Sequence, residues 1–171
     1  MVTIRCTQKL LRRVSSTPAP PSSDTLLGDW YANILFARPD QLIVCLSERT
    51  LLPVVVLARA ANKMGERLAQ SLHQVLLHLG VSAPQAQAER AKMGQVLFGP
   101  TRNRRVLGTL NDFMFQLSWY LHDHPTASLL NASLWLAETP CSPIGYASPD
   151  KLSAQLFANW RTLMQRCNSA A

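Results

Sequence analysis

The segment Thr101–Phe113, reading TRNRRVLGTLNDF, concentrates the side chains of this chain that are best suited to bind a ligand. Three of them are arginines, whose planar guanidinium groups bind phosphate and carboxylate oxygens in pairs. Few loops need so many fixed donors merely to join two elements, so the segment predicts a surface for an anionic or polar partner. The candidate binding residues here are Arg102, Asn103, Arg104, Arg105, Asn111 and Asp112.

A second polar segment, Asp29–Asn33 (DWYAN), opens a strand-like apolar run. The ring of Trp30 or Tyr31 could stack on a nucleic-acid base, as aromatic side chains do in proteins that bind single strands. Asn33 could join Asn111 and Asp112 in a polar site at the edge of a sheet. Trp30, Tyr31 and Asn33 therefore complete the predicted binding set.

Each of these features also has a purely structural interpretation. The arginines could be solvated loop charges, or they could pair with Asp29 and Asp112. If Thr109 caps a helix, Asp112 is its third residue, where a carboxylate completes a capping box and suits the positive end of the helix dipole. A single carboxylate also lacks the partner that metal-assisted or two-carboxylate hydrolysis needs.

The sequence predicts no metal and no cofactor. The four cysteines are scattered without a CxxC pair, which argues against structural zinc and indicates reduced thiols. The run His122–His124 offers no third ligand at a usual spacing, and it precedes Pro125 as the end of a helix would. No nucleophile elbow, phosphate-binding loop or dinucleotide fingerprint is present. Catalysis stays open, and a non-enzymatic protein is favoured.

Composition bounds the class of protein. The chain has 171 residues, 47% of them hydrophobic, which is enough for one domain with a real core. Its formal net charge of +7, from 17 Lys+Arg against 10 Asp+Glu, favours anionic partners such as RNA, DNA or an acidic protein. No window reaches the roughly 18–20 apolar residues of a membrane span, and the amino terminus does not read as a signal peptide. We expect a cytoplasmic protein without a membrane partner.

The elements that would position these residues follow from hydrophobic periodicity. Three apolar runs with short connections predict an antiparallel β-meander, and Pro53 places the third run at an edge or bend. A first strand at Val2–Cys6 precedes a short helix capped by Thr7. Residues 15–23 (SSTPAPPSS) predict a flexible Pro/Ser-rich linker outside the core. The meander runs are Trp30–Ala37, Gln41–Ser47 and Leu51–Ala58.

Helical periodicity dominates the second half. One apolar stripe from Ala61 ends at Gly80, a second helix starts at Ser82, and the last starts at Ser148-Pro149. Further predictions are a strand at Val96–Phe98, a helix from Thr109, and a strand at Ala132–Ala137. The fold class is α+β: residues 1–171 form a single domain in which an antiparallel β-meander packs against several α-helices.

Four ordered motifs carry a resemblance to a known family: TIRCTQKLL, GDWYANILF, NRRVLGTLNDF and ETPCSPIGYASPDKL. They resemble an uncharacterised bacterial domain of unknown function, related to the plasmid ORF-3-like proteins and hence to mobile elements. Its sequences typically read WYAN, then N-R-x-V-L-G-x-x-N-D before a helix. This chain matches those places, except that Arg105 stands where a smaller polar residue is usual. The resemblance spans nearly the whole chain and implies no activity.

Three classes of function follow. The leading hypothesis is a non-enzymatic binding or regulatory module that contacts RNA or DNA, and it weakens if its basic segments do not share a face. One alternative is a small nuclease or other phosphate-ester hydrolase, in which Arg104 stabilises charge and Asp112 or His122 is the base. The other is a protein–protein module, antitoxin-like or for assembly, marked by an exposed apolar patch. The basic segments are Arg5/Lys9/Arg12/Arg13 and Arg102/Arg104/Arg105.

Overall fold

The computed structural model describes residues 1–37 and 40–169, with side chains through Trp160. Within that part of the chain, five strands form one sheet and six α-helices surround it. The strands are β1 Val2–Cys6, β2 Trp30–Phe36, β3 Gln41–Ser47, β4 Pro53–Leu57 and β5 Val96–Pro100. The helices are α1 Gln8–Leu11, α2 Met64–His78, α3 Ala83–Lys92, α4 Arg104–Asp123, α5 Leu129–Ala137 and α6 Pro149–Ser169.

The sheet has the strand order β4-β3-β2-β1-β5. The predicted meander is confirmed, because β2, β3 and β4 pair antiparallel. Pro53 is the first residue of the edge strand β4, where a missing N–H costs no ladder bond. The amino-terminal strand β1 pairs parallel with both β2 and β5. The sequence did not predict this parallel part of the sheet. The α+β class is confirmed, and the sheet is mixed.

Both faces of the sheet are covered, which explains the nearly continuous apolar runs of β3 and β4. Side chains alternate between the faces along each strand. One face, including Ile4, Trp30 and Ile43, packs against α2, α3 and α6. The opposite face, including Tyr31 and Val44, packs against α4 and α5. The second face carries the candidate site.

Two predicted elements were wrong, and capping explains the first of them. Helix α4 begins at Arg104 and not at Thr109, because the Asn103 side chain accepts hydrogen bonds from the backbone N–H groups of Arg105 (3.1 Å) and Val106 (3.4 Å). Asp112 therefore lies inside the helix, and the capping-box interpretation fails. Thr109 instead donates its hydroxyl to the carbonyl oxygen of Arg105 at 3.3 Å.

The second wrong prediction is the strand at Ala132–Ala137, which is part of helix α5. Ser128 caps this helix by accepting from the N–H of Asn131 at 3.1 Å. Ala132 and Leu136 are both buried, four residues apart, as on one face of a helix. Over so short a segment, the apolar face of a helix can look like the alternating apolar pattern of a strand.

The Pro/Ser-rich segment Ser15–Ser23, called the strap below, lies against β1 and β5. Thr17 N–H donates to the Phe98 carbonyl at 2.7 Å, and the Thr3 hydroxyl donates to the Pro21 carbonyl at 2.6 Å. Pro20 is buried, and that the segment is a linker outside the core stays a prediction. Its mobility stays a prediction.

Candidate functional site

The first three turns of α4 and the segment Thr139–Tyr146 form the two walls of a groove of about 530 Å3. We call it the α4 groove. One stripe of α4 is buried against the sheet, which turns the polar positions of the helix outward. The α4 wall presents Arg104, Arg105, Gly108, Thr109, Asp112 and Gln116.

The second wall is a compact loop held by its own backbone. Cys141 N–H donates to the Ala147 carbonyl at 3.0 Å, and Tyr146 N–H donates back to the Cys141 carbonyl at 3.0 Å. Gly145 and Tyr146 both have positive φ, of 68° and 61°. A positive φ is unusual for a bulky residue and costs backbone strain. Tyr146 is 76% exposed at the rim of the groove.

The groove carries excess positive charge. Arg104 and Arg105 are exposed, and neither forms an ion pair with any described residue. They stand in the first turn of α4, where the helix dipole adds partial positive charge. Asp112 is the one carboxylate among the lining residues. The arrangement suits an anion that accepts hydrogen bonds from guanidinium groups.

Arg102 points elsewhere, into a buried network around Asp29. The Arg5 Nε donates to Asp29 Oδ2 at 2.6 Å, and the Arg102 Nη2 donates to the same oxygen at 3.2 Å. Arg102 also donates to the Ser22 hydroxyl at 3.1 Å. The other Asp29 oxygen accepts from the N–H and the hydroxyl of Ser23, at 2.7 and 2.9 Å. The sequence left open that the arginines pair with Asp29 and Asp112. Arg102 does pair with Asp29, and no ion pair with Asp112 is found among the described residues.

The predicted stacking by Trp30 or Tyr31 is wrong, because both rings have no exposed surface. The Tyr31 hydroxyl donates to Glu48 Oε1 at 3.3 Å, and burial, followed by the charge of Glu48, raises the pKa of Tyr31. Asn33 accepts from the Thr7 hydroxyl at 2.7 Å. Asp112 lines the groove, but neither Asn33 nor Asn111 does. The DWYAN segment is thus a structural element beneath the site.

The groove lining includes one thiol, that of Cys141. Cys141 is the nucleophile at hand, but burial, followed by the charge of Asp112, raises the pKa of its thiol to about 11. His122 lies at the far end of α4, outside the groove lining. In the described part of the chain, no three His, Cys, Asp or Glu side chains cluster in a way that could hold a metal ion. The predicted thiols Cys6, Cys45 and Cys141 are free and buried, and the Cys167 side chain lies outside the described residues.

Alkylation of Cys141 tests this part of the groove. At pH 7.5 we expect iodoacetamide to label Cys141 more than about tenfold more slowly in the native protein than in urea, because the thiolate is the reactive form. Asp112→Asn should accelerate native labelling severalfold, since it removes the charge that opposes ionisation. Asp123→Asn, an exposed carboxylate at the other end of α4, is the matched control. Equal rates for the two variants would show that Asp112 does not act on Cys141. Peptide mapping by mass spectrometry gives the rates.

The fold and the site together define the class of protein: a mixed α+β domain whose sheet is covered on both faces and which has a basic groove beside α4. The chain belongs to the family described as Domain of unknown function (DUF6933), whose model matches residues 3–152. Comparison with curated proteins and with solved structures finds no match. Among the helices of the described residues, none combines the length and the apolar composition that a membrane span requires.

Proposed function

We propose that this protein is a non-enzymatic binding module that holds an anionic partner, RNA or DNA, in the α4 groove. One observation carries the proposal: Arg104 and Arg105 are exposed without an ion pair among the described residues, at the positive end of a long helix and inside a groove. Guanidinium groups in that position offer phosphate oxygens paired, charge-assisted hydrogen bonds.

The proposed site uses fewer basic residues than the sequence suggested. Arg5 is 3% exposed and bound to Asp29, so it cannot reach a phosphate. Arg102 is 52% exposed, but part of its charge is neutralised by the same carboxylate. Of the amino-terminal basic residues, Arg13 donates to the Gln41 side chain at 2.8 Å. Arg5 and Arg102 bring the two basic segments together at the buried carboxylate of Asp29. The α4 arginines, which have no ion pair among the described residues, are the core of the proposed site.

The experiment is a salt series of binding to short fluorescent RNA and DNA, read by anisotropy, for the wild type and Arg104→Ala/Arg105→Ala. We expect binding that weakens as salt rises, because bound phosphates release counterions. The double variant should bind about tenfold or more weakly at low salt. Its slope of log K against log[salt] should be shallower by about 1.4, the loss expected for two single-strand phosphate contacts.

A matched control removes the same charge elsewhere. Arg59→Ala/Arg90→Ala deletes two exposed arginines that do not line the groove. It should leave the salt slope close to that of the wild type. Equal effects of the two double variants would reduce the binding to nonspecific attraction by net charge. No binding by the folded wild type at low salt would remove the proposal.

The hydrolase alternative named Asp112 or His122 as the base beside Arg104. The groove brings Arg104 and Asp112 together and leaves His122 outside its lining. Asp112 has no second carboxylate in the lining, which two-carboxylate or metal-assisted hydrolysis would need, so binding is the function proposed. The protein–protein alternative is tested with the aromatic residues discussed below. A cytoplasmic location and a relation to bacterial plasmid ORF-3-like proteins, associated with mobile elements, complete the proposal. They are supported by the resemblance of the four motifs and by the basic composition.

A further inference from the structure

We infer that the nucleic acid bound by the α4 groove is single-stranded, and that its bases stack on exposed aromatic rings further along α4 and on the opposite wall of the groove. This inference rests on the proposed function and names the kind of nucleic acid. The rings are Phe115 and Trp119 on α4 and Tyr146 on the opposite wall of the groove.

The outer face of α4 places its rings in line with an arginine. At 100° per residue, Arg104, Gly108, Asn111, Phe115 and Trp119 project within an arc of about 80°. All five are exposed, and the two aromatic side chains are 66% and 59% exposed. At a rise of 1.5 Å per residue, the stripe runs for about 22 Å. That length suits a short run of nucleotides, comparable with the smaller sites of single-strand binders.

The rings of Phe115 and Trp119 are exposed to solvent and are not buried by packing within the chain. Phe115 and Trp119 contact each other edge to face, with centroids 6.2 Å apart, which leaves ring faces open on both. Tyr120 differs, because it stacks on Trp135 at 4.6 Å and its ring is occupied. Large exposed apolar side chains grouped on one helix face are unusual in a chain without a partner.

Gly108 lies on this stripe and also lines the groove. A Cβ placed there would meet no heavy atom within 4 Å, so packing inside the chain does not require glycine. Glycine inside a helix is unfavourable relative to alanine, and a close approach of a ligand to the backbone is one reason to keep it. Gly108 lies along α4 between the two arginines and Phe115, where a bound strand would pass.

Charge and stacking together favour a single strand over the other partners. The flat faces of bases are covered in a duplex and open in a single strand, so aromatic rings can stack only on unpaired bases. A protein partner could also cover the apolar rings, but it would have to place carboxylates opposite Arg104 and Arg105. The net charge of +7 and the groove with a single carboxylate complement a chain of phosphates.

The experiment compares three fluorescent DNA probes of equal length at one salt concentration: oligo(dT), an abasic strand with the same phosphates, and a duplex. We expect wild-type protein to bind oligo(dT) at least about tenfold more tightly than either other probe, since stacking adds to phosphate contact. Phe115→Leu/Trp119→Leu should lose that advantage and keep its affinity for the abasic strand. Phe36→Leu removes an equally exposed ring, 59%, at the end of β2 and should bind like the wild type.

The outcomes separate this inference from the proposed function. Equal binding of all three probes, unchanged in Phe115→Leu/Trp119→Leu, overturns the inference and leaves phosphate binding intact. No binding of any probe overturns the proposed function and the inference with it. Wild-type dimers in light scattering that become monomers in the double variant, with no preference among probes, would assign the aromatic face to a second copy. Equal melting temperatures confirm that the compared variants are folded.

Discussion

Replacing Asp29 by alanine is expected to lower the free energy of unfolding by about 3–5 kcal/mol. Asp29 is 1% exposed, and the Arg5 guanidinium that it binds at 2.6 Å is 3% exposed. Without the carboxylate, Arg5 keeps its charge in a buried position with neither a counterion nor solvent, which is the costly state of a broken buried pair. The N–H of Ser23 also loses its acceptor at 2.7 Å.

Urea unfolding followed by circular dichroism measures this loss. Asp24→Ala is the control, because that carboxylate is exposed and pairs with the amino terminus at 2.8 Å, so we expect no resolvable change. A variant that removes both charges, Arg5→Leu/Asp29→Leu, should be less destabilised than Asp29→Ala, because no unpaired charge remains. A loss below about 1 kcal/mol for Asp29→Ala would contradict the account of a buried, mutually dependent pair.

The meander was predictable because its signals are local. The runs of β2, β3 and β4 are separated by connections too short for anything other than antiparallel neighbours. Pro53 marks an edge through the chemistry of a single residue. The position of β1 between β2 and β5 was not predictable, because parallel pairing joins residues far apart in sequence and leaves no local signature.

The misplaced start of α4 has a local cause. Asn103 and Thr109 are both residues that can cap a helix, and the sequence does not say which one accepts the N–H groups. In the structure Asn103, three residues after β5, accepts these N–H groups, and the helix that begins at Arg104 packs on β2 and β3. That shift of six residues in the cap moved Asp112 from a capping position onto the wall of a groove.

The candidate site was predicted in part. Arg104 and Arg105 lie on the surface as expected, whereas Trp30 and Tyr31 are buried because β2 is an inner strand whose two faces are both covered. The second wall of the groove, Thr139–Tyr146, was not predicted as a site, although it lies within one of the four motifs of the family resemblance. A turn-rich segment far along the chain gives no indication of which helix it will face, since that depends on how α5 and α6 pack.

Replacing Gly99 by alanine is expected to lower the free energy of unfolding by about 1–3 kcal/mol, the second large effect on stability. A Cβ at Gly99 would lie 2.4 Å from Cγ and 2.7 Å from Cδ of Pro20, so the strap must move away from β5. The strap has no lysine or arginine, so proteinase K, rather than trypsin, should cut it faster in the variant. Gly108→Ala is the control and should stabilise α4 by about 0.5–1 kcal/mol, because its Cβ meets nothing.

The two predictions are linked through the strap. Ser23 at its end donates twice to Asp29, and Ser22 accepts from Arg102, so a displaced strap withdraws partners from the buried carboxylate. Gly99→Ala and Asp29→Ala should therefore be non-additive, with a combined loss smaller than the sum of the two. Adding Pro20→Ala to Gly99→Ala should restore part of the stability by making room for the new methyl group. Strictly additive losses, with no rescue by Pro20→Ala, would mean that the strap and the Arg5–Asp29 pair stabilise the fold independently.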